Sequence, residues 1–136
     1  MYIFITVNYN SSDLIIPWAE SIRKQCCNSK LLVIDNFYND IERMKVIDVT
    51  KELNILLIES ENDGYGAALN RGIAYAMENF VTENSVFFAG NLDICYKNIP
   101  NTVPSGKYAY VPIVREGKRN RNPFLTTLQK NILPVY

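Results

Sequence analysis

Histidine is absent from the 136 residues. That absence excludes a Ser-His-Asp triad, a Cys-His pair, an HExxH zinc site and any imidazole general base. Acid–base chemistry falls to carboxylates and tyrosines. Cysteine is sparse: Cys26, Cys27 and Cys95 are odd in number, two are adjacent, and no CxxC spacing occurs. Neither a disulfide framework nor a structural zinc site follows, and the three read as reduced core thiols of a cytoplasmic chain. Long hydrophobic runs are also missing. The opening MYIFITV has no basic flank and is too short for a signal peptide or a membrane span, so nothing is expected to cross a bilayer.

What is present suits one domain with a real core, since 48% of the chain is apolar and 21% charged. Net charge is zero but uneven. Residues 1–96 carry 7 basic and 13 acidic groups, and residues 97–136 carry 7 and 1, leaving a C-terminal arm of net +6. The arm reads as a solvated face, with peripheral contact to the inner face of an anionic membrane as the functional alternative. A sequence pI near 6.3 argues against nucleic acid as a partner.

Four short apolar runs, YIFITV (2–7), KLLVID (30–35), NILLIE (54–59) and SVFFAG (85–90), are bounded by polar turn residues and read as strands. Their continuous apolarity suits parallel strands covered on both faces. Helical spacing lies between them. Leu14, Trp18 and Ile22 form a stripe behind Ser11 and Ser12 as candidate caps, with the regular helix expected from about Pro17. In 40–53, Ile41, Met44, Ile47 and Leu53 can share a face, and in 65–80 the stripe is Ala68, Leu69, Ile73, Ala76, Met77 and Phe80. A fifth strand is expected at YAYVPIV (108–114) and a short helical run at FLTTLQKNIL (124–133). The β-α alternation predicts an α/β, Rossmann-like domain with a mostly parallel sheet and helices on both faces. Ligands of such sheets lie beyond the carboxyl ends of the strands, where this sequence has NYN (8–10), DN (35–36), ENDGYG (61–66) and NLD (91–93).

Taken together, TVNYNSSDLIIPWAESI, LLVIDNFYND, ENDGYGAALNRGIAYA and VFFAGNLDI resemble, in order and spacing, the donor-binding half of family-2 glycosyltransferases of GT-A fold. The likeness covers residues 2–96 and is nearest to the rhamnosyltransferase-like group of cell-surface polysaccharide synthesis. It implies a donor-binding core over 1–96 and a partial acceptor region over 97–136. The resemblance further implies that Val7, Asn8 and Tyr9 flank the base of a UDP- or dTDP-linked sugar, with Asp35 or Asn36 hydrogen-bonding it. Gly64 and Gly66 stand at the entrance of the third helix, where missing side chains let backbone N–H groups approach a phosphate, and the resemblance adds Asn62 and Asn70 of the same stretch as donor-binding residues. By itself that stretch equally reads as a turn needing positive φ, with Asn70 and Gly72 packing the helix and Arg71 solvated.

NLD stands where the family carries a DxD-type motif. The resemblance implies that Asp93 ligates Mg²⁺ or Mn²⁺ on the donor diphosphate, with Asn91 offering an amide or a ribose contact. Alone, Asn-x-Asp is an ordinary turn after a strand. The family's acceptor half, with its expected base, follows this motif, and here forty residues of net basic charge remain with Glu116 as their single acid. The catalytic base is therefore unassigned and the chain reads as a truncated or minimal form. The expected activity is inverting, metal-assisted transfer to a saccharide or polyprenyl-linked acceptor. The alternatives are a non-catalytic nucleotide-binding module of the same fold and, last, a receiver-like α/β domain.

Overall fold

The computed structural model describes residues 1–80, 85–99, 108–109 and 133–134. Strands β1 (Tyr2–Asn8), β2 (Ser29–Asn36), β3 (Leu56–Ser60) and β4 (Val86–Ala89) alternate with helices α1 (Ile15–Arg23), α2 (Asp40–Glu52) and α3 (Tyr65–Asn79). A 3-10 turn, Ser12–Leu14, leads into α1. The sheet order is β3-β2-β1-β4 and every pairing is parallel, with Asn8 beside Asp35 and Asn36 beside Ser60.

Alternation along the strands fills two cores. Phe4, Leu31 and Val33 point to one face and pack with Ile15, Trp18, Ala19 and Ile22 of α1 and Val46 of α2. Ile3, Ile5, Val7, Leu32 and Ile34 point to the other and pack with Ala68 and Ala76 of α3. The expected parallel sheet with helices on both faces is what forms. Moving from β1 through β2 to β3 puts α1 and α2 on one side, and the return to β4 puts α3 on the other, as right-handed crossovers require. Gly72 lets α3 lie close: a Cβ there would stand 2.4 Å from Ile34 Cδ1 and 2.9 Å from Ile5 Cγ2.

Several local expectations change. Helix α1 starts at Ile15, so Pro17 sits in the first turn, where its missing N–H is not needed. Neither Ser11 nor Ser12 caps through its side chain; the Ser12 amide and hydroxyl both donate to Glu42. On α2 the inward face is Glu42, Val46 and Thr50, while Ile41 and Met44 are 74% and 57% exposed. A polar residue that finds a buried partner outcompetes an apolar one there. Met77 is likewise exposed on α3. Only Cys26 is a core thiol, and burial pushes it up; Cys27 and Cys95 are exposed. Helix α2 ends with Asn54 at φ 50°, and β3 then begins two residues later than its apolar run.

The chain divides into two compact units, Met1–Ile99 and Pro100–Tyr136. The first extends to Ile99, which is buried and donates its amide to Gln25 Oε1 at 2.9 Å. In the second, β5 (Tyr108–Ala109) pairs antiparallel with β6 (Leu133–Pro134). Strand β5 starts where the fifth strand was expected, and the rest of 110–114 lies outside the described residues. Of the expected helical run, Leu133 is in a strand and 124–132 lies outside the described residues. No described helix is long and apolar enough to cross a membrane.

Candidate functional site

Four parallel strands bring four carboxyl ends to one edge. β1 lies between β2 and β4, so the strand order reverses beside it, and open parallel sheets hold ligands in the crevice at such a reversal. The residues at this edge are Asn8 and Tyr9 at the end of β1, Asp35 to Tyr38 at the end of β2, Ser60 to Gly64 at the end of β3, and Gly90 to Asp93 after β4.

Two polar networks form there, one on each face. On the α1/α2 side, Asn8 Nδ2 donates to Asp35 Oδ1 at 3.0 Å and Arg43 Nε donates to Asp35 Oδ2 at 2.8 Å. Asp35 is 1% exposed, and each of its oxygens already accepts a bond. Arg43 also donates to the Ser60 carbonyl at 2.7 Å and lies 4.5 Å over the Phe37 ring. Arg43 therefore ties β2 to β3 and neutralises Asp35 from within. On the α3 side, Asn36 Nδ2 donates to Asn62 Oδ1 at 3.1 Å, while Asn36 Oδ1 is buried without a partner among the described residues. Arg71 donates to Ser60 Oγ and, at 2.7 Å, to Asp63 Oδ2. That bond and the guanidinium charge hold the Asp63 carboxyl below the usual range.

Tyr9 and Tyr38 are both about half exposed and meet edge to face, with ring centroids 5.2 Å apart. Val7, one residue before Asn8, is buried in the α3-side core. Gly64 caps α3 at φ 96°, and a Cβ on Gly64 or Gly66 would meet nothing within 4 Å. The first turn of α3 has no acidic residue and no side-chain cap, so its N–H groups are open to an anion. Asn70 is exposed further along α3, away from that first turn.

Asn91 and Asp93 are exposed in a turn closed by the Ile94 amide on the Asn91 carbonyl at 3.3 Å. Leu92 between them is buried and anchors the turn. Burial pushes the Tyr65 hydroxyl up and the charge of Asp93 pushes it further, so the NLD turn reaches the start of α3 electrostatically. Tyr96 is pushed up to about 12 by burial, with Tyr65 adding to it. Both phenols stay protonated near neutrality, so neither is a base there.

No group of three or more His, Cys, Asp or Glu that could hold a metal ion occurs among the described residues. Asp93 and Asn91 offer a hard cation one carboxylate and one amide oxygen. That set suits Mg²⁺ or Mn²⁺ only when ligand oxygens and water complete the shell.

Sequence reasoning brought Asn8, Tyr9, Asp35, Asn36, Asn62, Gly64, Asn91 and Asp93 to this edge. It did not single out Tyr38, Arg43 or Glu42, it placed Asp63 at the edge within ENDGYG without giving it a role, and it left Arg71 as a solvated side chain. Tyr38 was within reach, since it follows β2 directly. Arg43 and Arg71 carry no local signal, because their partners are set by how the helices return onto the sheet. A family profile described as glycosyl transferase family 2 matches residues 3–83, more than half of the 136. No curated protein gives a significant match.

Proposed function

The chain belongs to glycosyl transferase family 2, and from that membership we propose that its sheet edge binds the nucleoside diphosphate of a sugar donor for inverting transfer to a saccharide or lipid-linked acceptor. The observation that carries this reading is the strand reversal beside β1, with the NLD turn after β4 and the turn from Ser60 to Gly64 that leads into α3 both at the carboxyl edge of the parallel sheet. That edge carries an exposed carboxylate, an amide and the uncapped N–H groups of α3, the group types that a diphosphate and its cation use.

The proposed roles follow from the contacts. Asn8 is fixed by Asp35 and by the Ser11 amide, which donates to its Oδ1 at 3.2 Å, so it holds the end of β1 in place. Tyr9 and Tyr38 present ring faces and edges to a base. Asn36 supplies the acceptor beside it; Asp35, with both oxygens engaged, positions Asn8 and Arg43 instead. In the transfer, the acceptor hydroxyl oxygen bonds to the anomeric carbon as the bond to the diphosphate oxygen breaks, the hydroxyl proton is released to solvent, and the negative charge passes to the diphosphate. A divalent cation held by Asp93 and Asn91 would supply neutralisation of that charge. The N–H groups of α3 lower the same charge without moving.

A thermal-shift and calorimetric panel of nucleoside diphosphates, with and without Mn²⁺, tests the reading. One base should give a selective shift, about 2.7 kcal/mol of stabilisation at a hundredfold excess over Kd. Absence of any selective shift defeats it. Selective binding with no donor hydrolysis or transfer would point to the non-catalytic module.

A further inference from the structure

Two guanidinium groups stand at the carboxyl edge, and they differ in how firmly they are held. Arg43 is 19% exposed and committed to Asp35, the Ser60 carbonyl and the Phe37 ring. Arg71 and Asp63 are 43% and 41% exposed, and their ion pair faces solvent. An exposed pair of this kind contributes little, so its carboxylate is easily exchanged. A diphosphate carries more charge than a carboxylate and matches the guanidinium fork in two places.

The surroundings point to a ligand with both an anion and a polar ring. Asp63 is flanked by Asn62 and by Gly64, the open cap of α3. Asn62 is tied to Asn36, whose Oδ1 is buried and unpartnered among the described residues. The stretch from Ser60 to Arg71 thus holds a cation with an exchangeable partner and uncapped N–H groups, and through Asn62 it adjoins an acceptor on β2 that lacks a donor.

Resting on the nucleotide reading above, we propose that Arg71 is a diphosphate-binding residue and that Asp63 is an internal carboxylate which occupies it until the ligand displaces it. The consequence is unusual for a site residue: removing the charge of Asp63 should tighten binding.

The experiment measures affinities of UDP, dTDP and GDP by calorimetry without divalent cation, and of uridine, thymidine and guanosine by ligand-observed NMR. The proteins are the wild type, Asp63→Asn, Arg71→Ala and the double variant, each checked for folding by circular dichroism. For the diphosphate that binds, Asp63→Asn should tighten affinity about two- to fivefold. Arg71→Ala should weaken it about tenfold or more. Nucleoside affinity should stay constant in all four, and Asp63→Asn should have no effect once Arg71 is gone. An unchanged or weaker diphosphate affinity in Asp63→Asn overturns the inference, as does full affinity in Arg71→Ala. Parallel losses of nucleoside and diphosphate would make both residues structural and overturn it too. A wild type that binds none of the six ligands removes the nucleotide reading itself, whereas diphosphate binding insensitive to both substitutions removes only this inference.

Discussion

Glu42 accepts two hydrogen bonds from Ser12, one from its backbone amide at 2.7 Å and one from its hydroxyl at 3.1 Å, although thirty residues separate them. Glu42 is 5% and Ser12 6% exposed. The contact fastens α2 to the turn that leads β1 into α1, just behind the proposed ligand edge. Glu42→Ala would strand two buried donors, each of which costs about 1 to 3 kcal/mol, so a total loss of about 2 to 6 kcal/mol in urea unfolding is expected. Glu42→Gln should lose less, since one amide oxygen remains. A loss below about 0.5 kcal/mol for the alanine variant would mean that Ser12 finds other partners.

The same contact shows what the sequence could and could not say. Strands β1 and β2 were legible because both their faces are buried, which leaves an unbroken apolar signature in YIFITV and KLLVID, and the part-buried β3 and β4 keep much of it in NILLIE and SVFFAG. The edge was legible by topology, because parallel strands must all end on one side. The face of α2 was not legible. Periodicity favoured Ile41 and Met44, whereas Glu42 turns inward for a partner in another element. Arg43 escaped for the same reason: nothing in the local sequence says that its fork will span Asp35 and the Ser60 carbonyl.

Asp35 tests the division of labour between neighbouring residues. Asp35→Ala would leave Arg43 and Asn8 without their buried partner, and breaking such a pair costs about 3 to 5 kcal/mol. Chemical unfolding should show that loss. Asn36→Ala should instead weaken nucleotide affinity by about 1 to 2 kcal/mol with a smaller change in stability. The reverse pattern would return base recognition to Asp35.

Gly72→Ala sets helix propensity against close packing. Alanine is favoured over glycine in a helix by about 1 kcal/mol. The added Cβ would meet Ile34 Cδ1, which can swing, and Ile5 Cγ2 at 2.9 Å, which is fixed on a branched side chain in the central strand. Overpacking commonly costs about 1 to 3 kcal/mol, so a net destabilisation near 1 kcal/mol is expected in thermal or urea unfolding. A stabilised variant would show that α3 can lift from the sheet without loss.

Tyr96 gives the fold an alkaline weakness. Its hydroxyl ionises near 10 in an unfolded chain and is pushed up to about 12 in the folded one, first by burial and then by Tyr65. Below pH 10 both states keep the proton and stability is unaffected. Between about 10 and 12 the unfolded state loses it first, so stability falls as pH rises. The loss across that window should be about 1 to 2 kcal/mol after allowing for partial solvation. Tyr96→Phe keeps the ring beside Phe4 and Phe88 and should reduce the slope, with the smaller share of Tyr65 remaining. Urea unfolding of both proteins at pH 9, 10 and 11 measures the difference, and parallel curves would refute it.

Asp93 and Asn91 decide whether the NLD turn is more than a turn. The pair offers a cation one full charge where two aspartates would offer two. At about 4 Å a second carboxylate adds at most roughly 4 kcal/mol at an effective dielectric near 20, and nearer 1 in solvent. Both residues are exposed, so the lower figure applies and the turn alone should hold Mn²⁺ weakly. Diphosphate oxygens would complete the shell, and metal and nucleotide should therefore strengthen each other reciprocally. Asn91→Asp should raise Mn²⁺ affinity most in the absence of nucleotide. Asp93→Ala should abolish the coupling while leaving metal-independent nucleotide binding to α3 and Arg71. Titration of Mn²⁺ with and without the preferred nucleoside diphosphate, for all three proteins, reads the coupling directly. Equal metal affinity in both conditions for the wild type, or undiminished coupling in Asp93→Ala, would reduce Asp93 to the turn residue that its hydrogen-bonded neighbours Asn91 and Ile94 already enclose.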